Sequence, residues 1–101
     1  MNYKIEIGEQ AKNDIVELAL WYDSQKLGLG KVFIQNLDLS FIAISERAEM
    51  YPIVISDVRR FLMKKFPCSV HYLVENNIVR VLGVLHFKRN PSIIEFRIGG
   101  I

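Results

Sequence analysis

The chain has 101 residues, 50% of them hydrophobic, 11% aromatic and 24% charged, which fits one domain with a single modest core and excludes intrinsic disorder. Lys4 and Glu6 put charge where a secretory signal needs an apolar run, and no window reaches about 18 uncharged apolar residues, so a cytoplasmic protein without a membrane span is expected. Cys68 is the only cysteine, which excludes an intrachain disulfide and reads as a small core hydrophobe. With two isolated histidines and no carboxylate at ligand spacing, neither a metal nor another cofactor is expected.

The net charge of +2 is unevenly spread. Residues 1–56 hold five Lys/Arg against eight Asp/Glu, net −3, whereas residues 57–101 hold eight against three, net +5. An anionic partner is therefore expected to meet the C-terminal half.

Tyr3 to Ile7 alternates like a strand with one buried face, and Gly8 ends it. From Glu9 the period becomes helical: Ala11, Ile15, Leu18, Ala19 and Tyr22 form one stripe, predicting a helix to about Lys26 with an acidic polar side. Gly28 and Gly30 break it, and a second helix is predicted from about Lys31 to Glu49, folded back on the first. Tyr51-Pro52 stops that helix, because a residue before proline is pushed out of the helical region. Three strand-like runs follow, Val58 to Phe66, Ser69 to Glu75 and Ile78 to Phe87, with Asn76-Asn77 suited to a tight hairpin turn. Ile93 to Ile98 adds a short edge strand in this scheme, and Gly99-Gly100-Ile101 is expected to fray.

These elements define an α+β fold of order β-α-α-β-β-β, a helix hairpin packed on one face of a small antiparallel sheet, in one domain spanning residues 1–98. Simple alternation along the last strand puts Val79, Val81, Gly83, Leu85 and Phe87 on one side, and Arg80, Leu82, Val84 and His86 on the other. Both sides are apolar enough to be covered, so a partner is expected to lid the face that the helices leave bare.

Cations enter every part of the meander: Arg59, Arg60, Lys64 and Lys65, then His71, then Arg80, His86, Lys88 and Arg89. Groups on adjacent strands, about 4.8 Å apart, can converge on one phosphate, whereas Arg80 and His86 in one strand lie about 20 Å apart. Lys64 and Lys65 read equally as charges that protect a strand edge, His71 as a structural histidine and Trp21 as packing. His86 with Lys88-Arg89 reads as functional, since clustered cations repel one another unless an anion or acidic partner neutralises them. Gly28-Leu29-Gly30 is no nucleotide loop: it lacks the third glycine and follows a helix.

Four stretches in this order and spacing resemble the RelE/ParE toxins of type II toxin–antitoxin systems. They are Ala11-x-x-Asp14-Ile15, Val58-Arg59-Arg60-Phe61, Lys65-Phe66-Pro67 leading into Val70-His71-Tyr72, and Val84 to Pro91. The resemblance runs from about Tyr3 to Pro91 and implies a growth-inhibiting toxin, of plasmid-stabilisation type, oligomerising with an antitoxin whose acidic segment wraps over it. It implies one of two activities: ParE-like inhibition of DNA gyrase, which is not hydrolysis, or RelE-like cleavage of mRNA on the ribosome. For cleavage, His86 is the acid–base candidate and Arg59, Arg60, Lys88 and Arg89 the phosphate clamp, because in-line attack by a 2′-hydroxyl needs proton transfer and cations around the reacting phosphate. The chain departs from RelE-like members in having no tyrosine or histidine after Arg89, and Leu85-His86-x-x-Arg89-Asn90-Pro91 is closer to the ParE type. The ParE-like activity is therefore expected, with the ribonuclease and an inactive protein-binding relative as alternatives.

Overall fold

A computed structural model describes residues 2–99. Strand β1 (Lys4–Ile7) leads into helices α1 (Glu9–Gln25) and α2 (Leu29–Arg47), closed by a 3-10 turn at Ala48–Met50. Strands β2 (Ile53–Ile55), β3 (Val58–Leu62), β4 (Cys68–Glu75) and β5 (Ile78–His86) follow, and helix α3 (Ser92–Gly99) ends the described chain. The fold is α+β, with the helix hairpin on one face of the sheet as expected.

The hairpin turn is fixed by Asp23, whose Oδ1 accepts the backbone N–H groups of Gly28 (3.0 Å) and Gly30 (3.1 Å), donors that the start of α2 would otherwise leave unpaired. Gly28 takes a left-handed φ of 89°, and a Cβ on Gly30 would run into the Ala19 carbonyl of α1, so the two helices touch where only hydrogen fits. Phe33, Leu37 and Ile44 of α2, with Ala11 and Tyr22 of α1, pack against Phe61, Val70, Tyr72, Val79, Val81 and Val84 of the sheet. Tyr22, Phe33 and Phe66 interlock at one end of this core with ring centroids 4.8–5.3 Å apart.

The sheet has the order β1-β5-β4-β3-β2. It is mixed, not purely antiparallel: β1 lies parallel to β5, from Lys4 opposite Ile78 to Ile7 opposite Val81. That placement leaves β5 with neighbours on both edges, which explains its near-continuous apolar run. The Asn76-Asn77 turn is present, with Asn76 at φ 57° and Glu75 facing Ile78. A second two-residue turn, Ser56-Asp57 with Ser56 at φ 46°, creates β2, a strand that was not among the expected elements.

Ile93 to Ile98 is helix α3, not an edge strand. Asn90 starts it: its side-chain oxygen accepts the Ser92 N–H at 3.0 Å and its carbonyl the Ile93 N–H, while Pro91 fits the first turn, where an N–H is not needed. Of the residues expected to fray, Gly99 lies inside α3, and Gly100 and Ile101 lie outside the described residues. Ile94 plugs a second core made by Val58, Leu82 and Leu85, so the chain's own helix covers part of the face expected to need a partner.

Candidate functional site

Between His71 and Tyr72 the β4–β5 ladder slips: Tyr72 faces Val81 while His71 faces Gly83, so β5 carries Leu82 as an extra residue. This bulge inverts the alternation that follows. Val84 joins Val79 and Val81 in the core under the helix hairpin, whereas Leu85 joins Leu82 beneath α3. His86 therefore moves away from Arg80, to the hairpin side, and the expected shared side for the two is wrong. Gly83 permits the bulge to pack, since a Cβ there would lie 2.6 Å from Arg97 Nη1 and 2.9 Å from Ile94 Cδ1.

β1 ends at Ile7, and beyond Val81 the outer edge of β5 has no strand beside it among the described residues. Asp14 of α1, 3% exposed, reaches that edge and accepts the Val84 N–H at 3.0 Å. Its carboxylate is held in turn by Arg97 of α3, with Nη2 to Oδ1 at 3.0 Å, and by Arg89 at 3.3 Å. Arg97 Nη1 also donates to the Leu82 carbonyl at 2.9 Å. Neither Asp14 nor Arg97 stood among the candidate residues. Asp14 is one of several acids on an amphipathic helix, and Arg97 becomes visible only once residues 92–99 are helix.

Three of the expected cations gather at the exit of β5. His86, Lys88 and Arg89 rim a cleft of about 480 Å³ floored by Leu18, Trp21 and Val84, with Glu17 and Asp14 also in its lining. Trp21 is 52% exposed, and its ring meets His86 edge-on with centroids 6.4 Å apart, so it belongs to the site as well as to the packing. His86 Nδ1 accepts the Lys88 N–H at 3.1 Å, which fixes the ring and leaves one nitrogen free for other contacts.

On the opposite face, Arg60, Ser69, His71 and Arg89 surround a cleft of about 300 Å³. Arg60 faces His71 directly across the β3–β4 ladder. His71 is 4% exposed, and among the described residues its Nδ1 has no hydrogen-bond partner, a deficit of about 1–3 kcal/mol. Burial above all, then the charges of Arg60 and Arg97, lower its pKa to about 4, against a smaller opposing pull from Asp14. The imidazole is thus neutral at pH 7.

Arg59 departs from this group. It faces Tyr72 in the ladder, and its Nη1 donates to the Glu49 carbonyl at 2.9 Å and the Tyr51 carbonyl at 2.7 Å. Together with the Tyr72 hydroxyl, which donates to the Ala48 carbonyl at 2.7 Å, it closes the C-terminal end of α2. The adjacent arginines thus point to opposite faces, as neighbours in a strand must.

No family model and no curated protein sequence matches the chain. Among solved structures it is similar to a chain of a chromosomal ParDE toxin–antitoxin system from P. aeruginosa, with a TM-score of 0.75 and 14% identity over 83% of this chain and 95% of that one. The chain shares the fold of that ParDE chain, the architecture that the RelE/ParE resemblance implied. Among the described residues no helix is long and apolar enough to cross a membrane, and no cluster of metal-ligating side chains occurs.

Proposed function

We propose that the chain is the toxin of a type II toxin–antitoxin pair, of the ParE-like kind, acting in the cytoplasm as an inhibitor of DNA gyrase until an antitoxin protein covers it. The observation that carries this reading is a fold shared with a ParDE chain, together with the basic residues His86, Lys88 and Arg89 of this chain, which rim an apolar cleft at the end of β5. Such a rim over Leu18, Trp21 and Val84 suits an acidic, amphipathic segment of a partner. His86, Lys88 and Arg89, with Arg60 on the other face, are the proposed contact residues.

The ribonuclease alternative has less support. Arg59 is committed to backbone carbonyls and does not contribute to a phosphate clamp. One nitrogen of His86 is occupied, and the clefts that it lines hold no tyrosine or further exposed histidine to complete an acid–base pair.

Expression of the chain alone in a bacterium is expected to arrest growth, and the purified protein to block gyrase supercoiling while leaving mRNA intact in a translation extract. Cleaved mRNA with normal supercoiling would replace the gyrase assignment by the ribonuclease. Unchanged growth would reduce the chain to an inactive relative.

A further inference from the structure

We propose that the cleft between the second face of the sheet and the His86–Pro91 turn binds a phosphorylated small molecule of nucleoside monophosphate size, its phosphate held by Arg60 and Arg89 over His71 and Ser69. The proposal shares Arg60 and Arg89 with the toxin reading but does not depend on it, because it is tested by ligand binding without any growth assay.

Each part of such a ligand finds its counterpart. Arg60 and His71 stand opposite each other across two strands, and Ser69 lies two residues from His71 on the same face, next to Leu62 in the ladder. Arg89 overhangs them from the turn, tethered to Asp14 at 3.3 Å and 41% exposed in its side chain, so part of its guanidinium remains free to bind. Guanidinium groups match the oxygen spacing of a phosphate, and two of them balance a dianion. His71, enclosed and without a partner at Nδ1, is the polar group whose hydrogen bonding the protein leaves incomplete. Held neutral by burial, it gives a phosphate oxygen an N–H without adding charge. Leu62 and Phe87, 50% and 55% exposed, belong to the lining, and Phe87 offers a flat aromatic face for a base with Leu62 as apolar contact. A volume of about 300 Å³ is far more than a bare phosphate fills and falls at the lower end of small-ligand clefts.

A nucleic-acid strand fits less well, because it needs a run of cations to follow its backbone. Past His71 the groove continues into a cleft lined by Val54, Ile55, Ile94 and Glu95, where a second phosphate meets a carboxylate and aliphatic groups. On the other side of the turn Lys88 shares its cleft with Asp14 and Glu17, so the basic groups do not continue as an unbroken run.

The chain has two histidines, so its imidazole NMR signals can be followed separately. The histidine-labelled protein is titrated with adenosine 5′-monophosphate, with inorganic phosphate and with a single-stranded oligonucleotide. Saturable movement of the His71 signal is expected with the monophosphate, at least several-fold weaker binding with inorganic phosphate, and at least a tenfold loss of affinity in Arg60→Gln but not in the surface control Lys12→Gln. A His71 signal that stays still, or an Arg60→Gln variant that folds and binds unchanged, overturns the proposal. So does an oligonucleotide that binds more tightly than the monophosphate with a steep salt dependence, which assigns the groove to a nucleic acid. Equal affinity for inorganic phosphate removes the nucleoside from the ligand.

Discussion

Asp14 and Arg97, 83 residues apart, form a buried ion pair that occupies the position a strand would take beside the outer edge of β5. The carboxylate accepts the Val84 N–H and the guanidinium donates to the Leu82 carbonyl, so two side chains satisfy the backbone groups that β1 stops short of reaching. The same pair ties α1 on one face of the sheet to α3 on the other. Asp14→Asn keeps an acceptor for Val84 but leaves Arg97 buried without its counter-charge. A loss of about 3–5 kcal/mol is expected in urea unfolding. The cost of combining it with Arg97→Met should fall short of the sum of the two single costs by more than about 1 kcal/mol. Strict additivity would mean that the two do not act as a pair.

Gly83→Ala tests the same corner sterically. Its methyl would enter the space of Arg97 Nη1 and Ile94 Cδ1, pushing α3 off the sheet. A destabilisation of about 1–3 kcal/mol is expected, with faster proteolysis confined to residues 92–99. Unchanged cleavage rates there would show that α3 absorbs the methyl without moving.

Arg59 and Arg60 separate stability from activity. Arg59→Met strips a donor from the Glu49 and Tyr51 carbonyls and is expected to cost about 1–2 kcal/mol, while the growth arrest proposed for the folded protein is expected to persist. Arg60→Gln, exposed at the second cleft, should leave the urea midpoint within about 0.5 kcal/mol of its original value. The opposite pattern would put Arg59 in the site and Arg60 in the scaffold.

His71 makes stability depend on pH with a definite sign. Its pKa is about 4 in the folded chain, against 6.5 as the ordinary value. Between those values the unfolded chain binds a proton that the folded chain refuses, so stability is full above about pH 6.5 and falls as pH drops toward 4. The loss is on the order of 3 kcal/mol. Urea midpoints measured from pH 7 to pH 4.5 should decline, and His71→Gln should flatten the part of the slope that belongs to this residue. A His71 ring that titrates near 6.5 in NMR would remove the effect.

Trp21 is the single tryptophan and is half exposed beside the His86 cleft. An apolar partner residue seated there withdraws the indole from water, so under the proposed function a blue shift of its emission is expected on addition of an antitoxin protein. A spectrum that stays put on complex formation would place the partner elsewhere.

Much of this architecture is legible in the residues. The switch from alternation at Tyr3–Ile7 to helical spacing at Ala11–Tyr22, the break at Gly28 and the Asn76-Asn77 turn each have a local cause and appear where expected, although Gly30, expected in the break, lies inside α2. What escaped depends on distant partners. Nothing in Val79 to Phe87 announces an extra residue at Leu82, yet that one insertion decides which face His86 occupies. The β-branched residues of Ile93–Ile98 favour a strand, and the Asn90-Pro91 start together with the grip of Asp14 on Arg97 makes them a helix. The basic cluster was half visible: His86, Lys88 and Arg89 are contiguous enough to be found together, and strand alternation separates Arg59 from Arg60, but that Arg59 is the one consumed depends on the end of α2 needing a donor.

The pairing of β1 with β5 also sets the order of assembly. Lys4 to Ile7 have no strand beside them until Ile78 to Val81 exist, so a chain emerging from the ribosome can form its helical hairpin long before its first strand is docked. The cationic turn that follows β5 is placed only after that closure. A partly synthesised copy therefore carries the Leu18 and Trp21 floor of the cleft without the His86–Arg89 rim that completes it.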